Sequence, residues 1–395
     1  MIPEPLRGRD PDTWQYDTVT DRLPAIARRI CNENNLTAGQ IAALSALAVD
    51  MPQGHIRDLN DANAPDSAAW SAYIQPHIGQ SWLDAPWFFV EMYFFRRILE
   101  ATGYFESGPG FGLDPYRTQK MEGIRTAGGG LRRMAELASG SRHSDVGQKV
   151  LIQDLWGNQA DLSIWPVDSG GNTSSPDGGH LLVDQTAAAV DIIHRFAAGQ
   201  SRIMFVADNA GLEFLGDLLT IDYFLRNDLT AAVELHVKPY PTFVSDATAP
   251  DMTTSLGYLS RHERQTVRAA GIRLRRYMLE GRLRLRSHVF WTSPLAFWEM
   301  PADLRRQLDR ANLIILKGDM NYRRLLGDRH WPYTTPTDRL PRATGTPILG
   351  LRVCKAEVAV GLSQSSLNMV SAADPDWRVN GRWGMAQLLS PQIVV

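Results

Sequence analysis

Beyond about residue 150, short runs rich in β-branched and aromatic residues alternate with longer stretches of helical periodicity. That alternation constrains the fold more than any other feature. The runs are "IMFVAD", "AAVELHV", "TFVSD", "LRLRSHVFW", "NLIILKGD" and "PILGLRV". Strands separated by helical patterns predict a mostly parallel, helix-covered sheet, because a parallel crossover needs a connection long enough to hold a helix. Met204, Phe205, Val206 and Ala207 read as the end of a buried strand, and Asp208-Asn209-Ala210-Gly211 follow at once. Leu212, Leu215, Leu218, Leu219 and Phe224 then recur at three- and four-residue steps, the spacing of an amphipathic helix. Asp208 and Asn209 are thereby placed at the carboxyl end of a strand, the edge where open α/β sheets bind ligands.

Residues from about 17 to 140 favour helices instead. "TAGQIAALSALAVDM" has Thr37 as its N-cap, "SAAWSAYIQPHI" adds a short apolar segment, and "APWFFVEMYFFRRILEATG" is the strongest helix, ending at Gly103. The glycines of "TAGGGLRRMAELASGSRHSD" predict a flexible or tightly turning connection. The expected organisation is a helical N-terminal domain, residues 1–150, followed by a Rossmann-like α/β domain, residues 151–395. The small-residue tract at 169–179 reads as a loop whose Ser and Asn side chains could face a ligand.

Composition narrows the function classes. Of the 395 residues, 44% are apolar and 21% charged, as in an ordinary globular protein. A net charge of −2 gives no general reason to expect nucleic acid or an anionic membrane as partner. The basic run "RLRLRSH" at 282–288 alternates as one wet face of a strand does. Cys31 and Cys354 lie far apart and form neither a metal-type cluster nor a disulfide framework, which favours a reducing compartment. The start "MIPEPLRGRDPDTW" lacks the apolar core of a signal peptide, and no segment reaches the roughly 20 apolar residues that span a bilayer. A cytoplasmic protein with a small-molecule partner is expected; the oligomeric state is not legible.

Three of the runs end alike: in Asp208-Asn209, in Asp246, and in Lys317-Gly318-Asp319. In a parallel sheet such ends can converge on one edge. Carboxylates with an amide oxygen are hard ligands, suited to Mg²⁺ or Mn²⁺ and not to Zn²⁺. Lys317, Arg323, Arg352 and Lys355 supply nearby cations. Metal, carboxylates and fixed cations are together the parts of a phosphoryl-transfer site. Each part alone has a plainer reading, as a helix N-cap or a solvated charge. Their recurrence in one register favours the site.

The blocks "FVADNAGLEFLGDLL", "KPYPTFVSDAT", "LIILKGDMNYRRLLGDRHW" and "LRVCKAEVAVGL", in this order, resemble the damage-control phosphatase family, once called domain of unknown function 89. The nearest subgroup is subfamily III, the sugar-phosphate phosphatase and acidic-residue-methyltransferase-like proteins. "APWFFVEMYFFRRI" and "LWGNQADLS" extend the resemblance over most of the chain. It implies a divalent cation (Mn, Mg, Co or Ni) on Asp208, Asn209 and Asp246, with Asp208, Asp246 and Asp319 as catalytic carboxylates. It further implies substrate contacts from Lys238, Lys317, Asn321, Arg323, Arg352, Lys355 and Arg382, with Glu91, Asn158 and Asp161 as weaker pocket candidates. Whether Asp208 attacks phosphorus or only ligates stays open.

Two departures stand out. Subfamily III carries Arg-Thr-x-Lys where this chain has Arg352-Val353-Cys354-Lys355, and a lysine where it has Arg382. A threonine hydroxyl bonded to substrate would be worth roughly 0.5–1.5 kcal/mol. With that hydroxyl lost, the expected substrate is a phosphorylated small metabolite, either a sugar phosphate or a less polar phosphorylated compound. Two rival readings are a carboxyl methyltransferase and a binding protein without turnover. The only glycine-rich candidate for a nucleotide loop, Gly108, Gly110 and Gly112, follows a helix where such loops need a strand.

Overall fold

The computed structural model describes residues 2–158, 180–197, 199–341 and 344–389. Its centre is a seven-stranded sheet: β1 (Leu181–Asp184), β2 (Arg202–Val206), β3 (Ala232–Val237), β4 (Leu283–Ser287), β5 (Leu313–Lys317), β6 (Ile348–Val353) and β7 (Gly384–Leu389). The spatial order is β1-β7-β6-β5-β2-β3-β4. β6, β5, β2, β3 and β4 are mutually parallel, and β7 runs antiparallel to β6 with β1 parallel beside it. The chain steps outward from β2 to β3 and β4, then returns to lay β5 and β6 on the other side of β2. The direction of winding therefore reverses between β2 and β5, the topological position at which such sheets take ligands. Val206 pairs with both His236 and Leu316, so the carboxyl ends of β2, β3 and β5 lie level.

The central strands are apolar on both faces, as buried parallel strands must be. Ile203, Phe205, Leu313, Ile315, Leu349, Leu351 and Val353 point into a core shared with the helices Gly128–Ala138, Ser144–Leu155 and Leu212–Arg226. Met204, Val206, Ile314, Leu316 and Ile348 meet Phe290, Trp291, Phe297 and Leu304 on the other face. β4 is the edge strand, with Leu283 buried while Arg284 and Arg286 are exposed, as its alternation predicted.

The helix Trp87–Thr102 is almost wholly buried and ends at Gly103 with φ +67°, a left-handed cap that glycine adopts without a Cβ penalty. Thr37 and Gln40 form a capping box on the helix Ala38–Asp50. The aromatic side chains of Trp87–Thr102 pack with Met320, Tyr322, Leu326, Trp331, Val358 and Val360, so one apolar cluster runs across the expected boundary near residue 150. Among the described residues, no helix is long and apolar enough to cross a membrane.

Three local expectations differ from the structure. Thr242–Asp246 forms no strand; with Pro239 and Pro241 just before it, the segment turns back, and Asp246 makes only an isolated bridge to Asn209. Gly128, Gly129 and Gly130 open a helix, where a connection was expected. A Cβ on Gly130 would lie 2.9 Å from Leu212 Cδ2, so close packing explains that glycine. β1 and β7 went unread, since a four-residue strand and "GMAQLL" carry little β-branched signal.

Candidate active site

Two glycines let the β2 and β5 ends come together. Gly211, at φ +81°, turns the chain from Asn209 into the helix Leu212–Arg226 and lies against Gly123 of the helix Arg117–Arg125. Gly318, at φ +80°, opens the helix Gly318–Leu326, and a Cβ there would sit 1.8 Å from Asp208 Oδ2. Any side chain at 318 would therefore displace the Asp208 carboxylate. Asn321, fully buried, donates through Nδ2 to the carbonyls of Ala207 (3.1 Å) and Lys317 (2.8 Å), tying the two strand ends.

Into this junction project Asp208, Asp246 and Lys238, all at least 95% buried. Asp246 comes from the loop after β3, which is docked on the β2 end: Ala210 N–H donates to Ser245 O (2.6 Å) and Ala247 N–H to Asp208 O (2.8 Å). Phe243 N–H donates to Asp246 Oδ2 (3.0 Å). Lys238 Nζ lies 3.8 Å from Asp208 Oδ1 and 3.5 Å from Asp246 Oδ1. Those two oxygens and Nζ are buried without a hydrogen-bond partner in the protein. Asn209 borders the pair, donating through Nδ2 to Glu213 Oε2 (2.8 Å) and accepting through Oδ1 from the Ser245 hydroxyl.

Two carboxylates, Asp208 and Asp246, thus share one ammonium, an excess of one negative charge when both are ionised, and Glu213 stands beside Asn209. Burial drives the Asp208 carboxyl well above the ordinary carboxylate value; Glu213, Asp246 and Asp319 push the same way, and Lys238 opposes them. Partnerless carboxylate oxygens beside an amide oxygen fit a hard divalent cation, and two carboxylates with one amide leave positions for water or phosphate. Among the described residues no group of three His, Cys, Asp or Glu is placed to hold a metal ion, so a cation bound between Asp208 and Asp246 would need the Asn209 amide as its third protein donor.

The other expected residues divide. Asp319, in the first turn of Gly318–Leu326, accepts from Arg352 Nε (2.7 Å) and from the Lys355 amide (3.2 Å). Arg352 is almost fully buried; its remaining nitrogens donate to the carbonyls of Val358 and of Ala356 (2.8 Å), and it lies over the Tyr322 ring. It shapes the 354–360 loop and holds Asp319. Lys355 is half-buried at this edge, and its ammonium makes no ion pair among the described residues. Arg382 is exposed on a turn whose neighbours Gly381 and Trp383 bond to Cys354.

Lys317 and Arg323 are engaged elsewhere. Lys317 Nζ lies 2.9 Å from both Asp154 Oδ1 and Asp217 Oδ1, beneath the sheet edge. Burial lowers its pKa, but the two carboxylates outweigh that and hold it above the usual lysine value. Arg323 bridges Glu91 (2.6 Å) and Asp328 (2.7 Å), joining the helix Trp87–Thr102 to Gly318–Leu326. Val353 is 5% exposed and faces the larger apolar cluster. The Asn158 side chain, Asp161 and the 169–179 tract lie outside the described residues. Gly108, Gly110 and Gly112 lie in turns after a helix, with no strand leading in. A groove of about 500 Å³ beside the helix Ala38–Asp50 is lined by Arg57, Arg97 and Glu100, which pair with one another.

Sequence reasoning missed Glu213, Ser245, Asp154 and Asp217. Only Glu213 had a signal: it stands four residues after Asn209 and opens the helix, so it returns to the same face.

A family model described as the damage-control phosphatase ARMT1-like domain matches residues 18–369. Proteins named Damage-control phosphatase ARMT1 from Danio rerio and Homo sapiens are 29% and 28% identical, each over 99% of this chain and over 98% and 99% of their own lengths. A solved DUF89 family protein from Pyrococcus horikoshii superposes with a TM-score of 0.51, covering 96% of this chain and 98% of its own at 12% identity, a likeness of fold alone. The matched region takes in both the helical layer and the strand ends that carry Asp208, Asn209 and Asp246, and the chain belongs to the damage-control phosphatase ARMT1-like family.

Proposed function

We propose that this protein is a divalent-metal-dependent phosphatase acting on a phosphorylated small metabolite. The observation that carries the reading is the pair of partnerless, buried oxygens, Asp208 Oδ1 and Asp246 Oδ1, at the switch point of the sheet. Burying an ion costs several kcal/mol unless it is compensated; one ammonium shared by two carboxylates compensates only part of that, and a divalent cation offsets the rest. Asp208, Asn209 and Asp246 would hold that cation. When bound, it supplies a Lewis acid for phosphoryl oxygen and charge stabilisation in transfer.

The chain's own residues then divide the remaining work. Lys238 sits within ion-pair range of both carboxylates and offers its protons to phosphate oxygen on the same side. Lys355, with its ammonium unpaired among the described residues, is the second anion contact. Arg352 holds Asp319 and the 354–360 loop so that the Lys355 backbone stays fixed. Val353 is turned into the core, so substrate selection belongs to other residues, and Arg382 at the exposed rim can meet the leaving group.

The names of the relatives support phosphatase chemistry, and the buried carboxylate pair supports metal dependence. The test is a phosphate-release screen over sugar phosphates and less polar phosphorylated metabolites, with chelator and with Mn²⁺, Co²⁺, Ni²⁺ or Mg²⁺ added back. Release that appears only with metal and is lost in Asp246→Asn supports the reading. Methyl transfer to carboxylates with no phosphate release on any substrate overturns it.

A further inference from the structure

We infer that Glu213 is the positioning residue that fixes the Asn209 amide for a metal ion, with Ser245 as the opposite jaw of the same clamp. The inference rests on the proposed divalent-cation site and adds two residues that do not themselves ligate.

An asparagine ligand has a weakness that a carboxylate lacks. Its two terminal atoms differ, and only the oxygen donates to a cation. A half-turn about the last side-chain bond would present the NH₂ group instead. The structure closes off that alternative from both sides. Glu213 Oε2, a carboxylate oxygen and so an acceptor only, takes the Asn209 Nδ2 hydrogen at 2.8 Å. Asp208 Oδ2, 3.4 Å from the same nitrogen, reinforces the direction. On the other side the Ser245 hydroxyl donates to Asn209 Oδ1. A flipped amide would set its oxygen against two carboxylates, and Oδ1 keeps a second lone pair for a cation.

Glu213 is itself well placed to hold its position. It stands in the first turn of the helix Leu212–Arg226, where the helix dipole favours a negative charge. Only 3% of it is exposed, and a Cβ on Gly157 would lie 3.3 Å from its Cα, so the Trp156–Asn158 turn is packed directly against it. Ser245 is held by its own carbonyl, which accepts from Ala210 N–H at 2.6 Å. The two jaws therefore come from different elements, the helix after β2 and the loop after β3. Both are anchored to the turn that carries Asn209.

The experiment measures Mn²⁺ binding to the full-length protein by calorimetry, without reference to turnover, alongside the urea midpoint of each chelated protein. Glu213→Leu removes acceptor and charge and is expected to weaken Mn²⁺ binding by about 10–100-fold, the usual effect of losing a group that orients a ligand. Glu213→Gln keeps an acceptor for Asn209 Nδ2 and is expected to recover most of that loss. Ser245→Ala, which loosens the other jaw, is expected to fall between wild type and Glu213→Leu. Should Glu213→Leu not fold, Ser245→Ala carries the test, with weaker Mn²⁺ binding than wild type expected.

Wild-type affinity in Glu213→Leu, or in Ser245→Ala, with a wild-type midpoint, overturns the clamp while leaving the metal site intact. A Gln variant as weak as the Leu variant would overturn orientation in favour of charge. Failure of the wild-type protein to bind Mn²⁺ at all overturns instead the metal reading on which the clamp depends.

Discussion

Replacing Lys317 by methionine tests how the charges beneath the site are arranged. The ammonium is fully buried and lies 2.9 Å from the carboxylates of Asp154 and Asp217, whose side chains are 1% and 0% exposed. Methionine fills much the same volume, so little of the effect comes from packing. What it removes is the cation that sits between these two buried acids, and breaking such a set costs about 3–5 kcal/mol. For a chain of this length that deficit lowers the urea midpoint by something on the order of 1 M.

The loss also depends on pH, with a definite sign. Burial already pushes the Asp217 carboxyl well above its ordinary value, with Asp154 adding to it and Lys317 opposing. Without the lysine, the folded-state Asp217 value rises further above the unfolded value near ~3.9. Stability contributed by a raised carboxyl is present below that value and is lost as pH climbs through the folded one. The deficit of Lys317→Met should therefore be small near pH 4 and grow toward pH 8, by at most about 1.4 kcal/mol per pH unit for each proton. A second change, Asp217→Asn, should restore part of the stability. Urea titrations at pH 5 and pH 8 decide the matter. An unchanged midpoint at both, with KM for a phosphorylated substrate raised instead, would show that the ammonium serves the ligand and would refute the buried-triad account.

Lys355→Ala should raise KM by about tenfold or more with an unchanged urea midpoint, because a charge-assisted contact is worth roughly 1.5–3 kcal/mol. Arg352→Ala should instead lower the midpoint, since it strips Asp319 and two loop carbonyls of their donor. Val353→Thr should cost about 1–3 kcal/mol for a buried hydroxyl and leave the kcat/KM ranking of a phosphate panel unchanged. Burial holds the His236 imidazole down at about 3, with Arg286 and His288 adding to the shift. Stability is thus complete above the unfolded value near ~6.5 and falls as pH drops below it, by about 2 kcal/mol at pH 5. His236→Gln, which keeps an acceptor for Trp291 Nε1, should flatten that dependence in urea titrations at pH 5 and 7.5.

Much of this arrangement is legible in the sequence because it is local. The β2 run, the Asp-Asn pair, the turning Gly211 and the helix behind it are contiguous, and periodicity alone places them at a strand end. The helices Ala38–Asp50 and Trp87–Thr102 announce themselves through Thr37 and Gly103. Asp246 does lie beside that edge, but it arrives there from a turn, because the proline-rich approach to Thr242–Asp246 outweighs its β-forming residues.

Partner choice is the part that periodicity does not reveal. Lys317, Arg323 and Arg352 look like three cations facing one ligand. Asp154 lies 163 residues before Lys317 and Glu91 lies 232 before Arg323, whereas Asp328 is only five residues beyond Arg323, and only the packed sheet shows which charge meets which. A buried ammonium or guanidinium must find an anion, and here those anions are protein side chains. Val353 illustrates the same limit: strand alternation allows either face, and the structure turns it toward the core.

The central claim is that a divalent cation held by Asp208, Asn209 and Asp246 is required for phosphate release. Its most direct test is the rate of release from the best substrate of the screen, measured on exhaustively chelated wild-type protein and again after Mn²⁺ is added. The account predicts no release above background when chelated, recovery with Mn²⁺, and no recovery in Asp208→Asn. Undiminished release from the chelated protein, verified metal-free by elemental analysis, would contradict it.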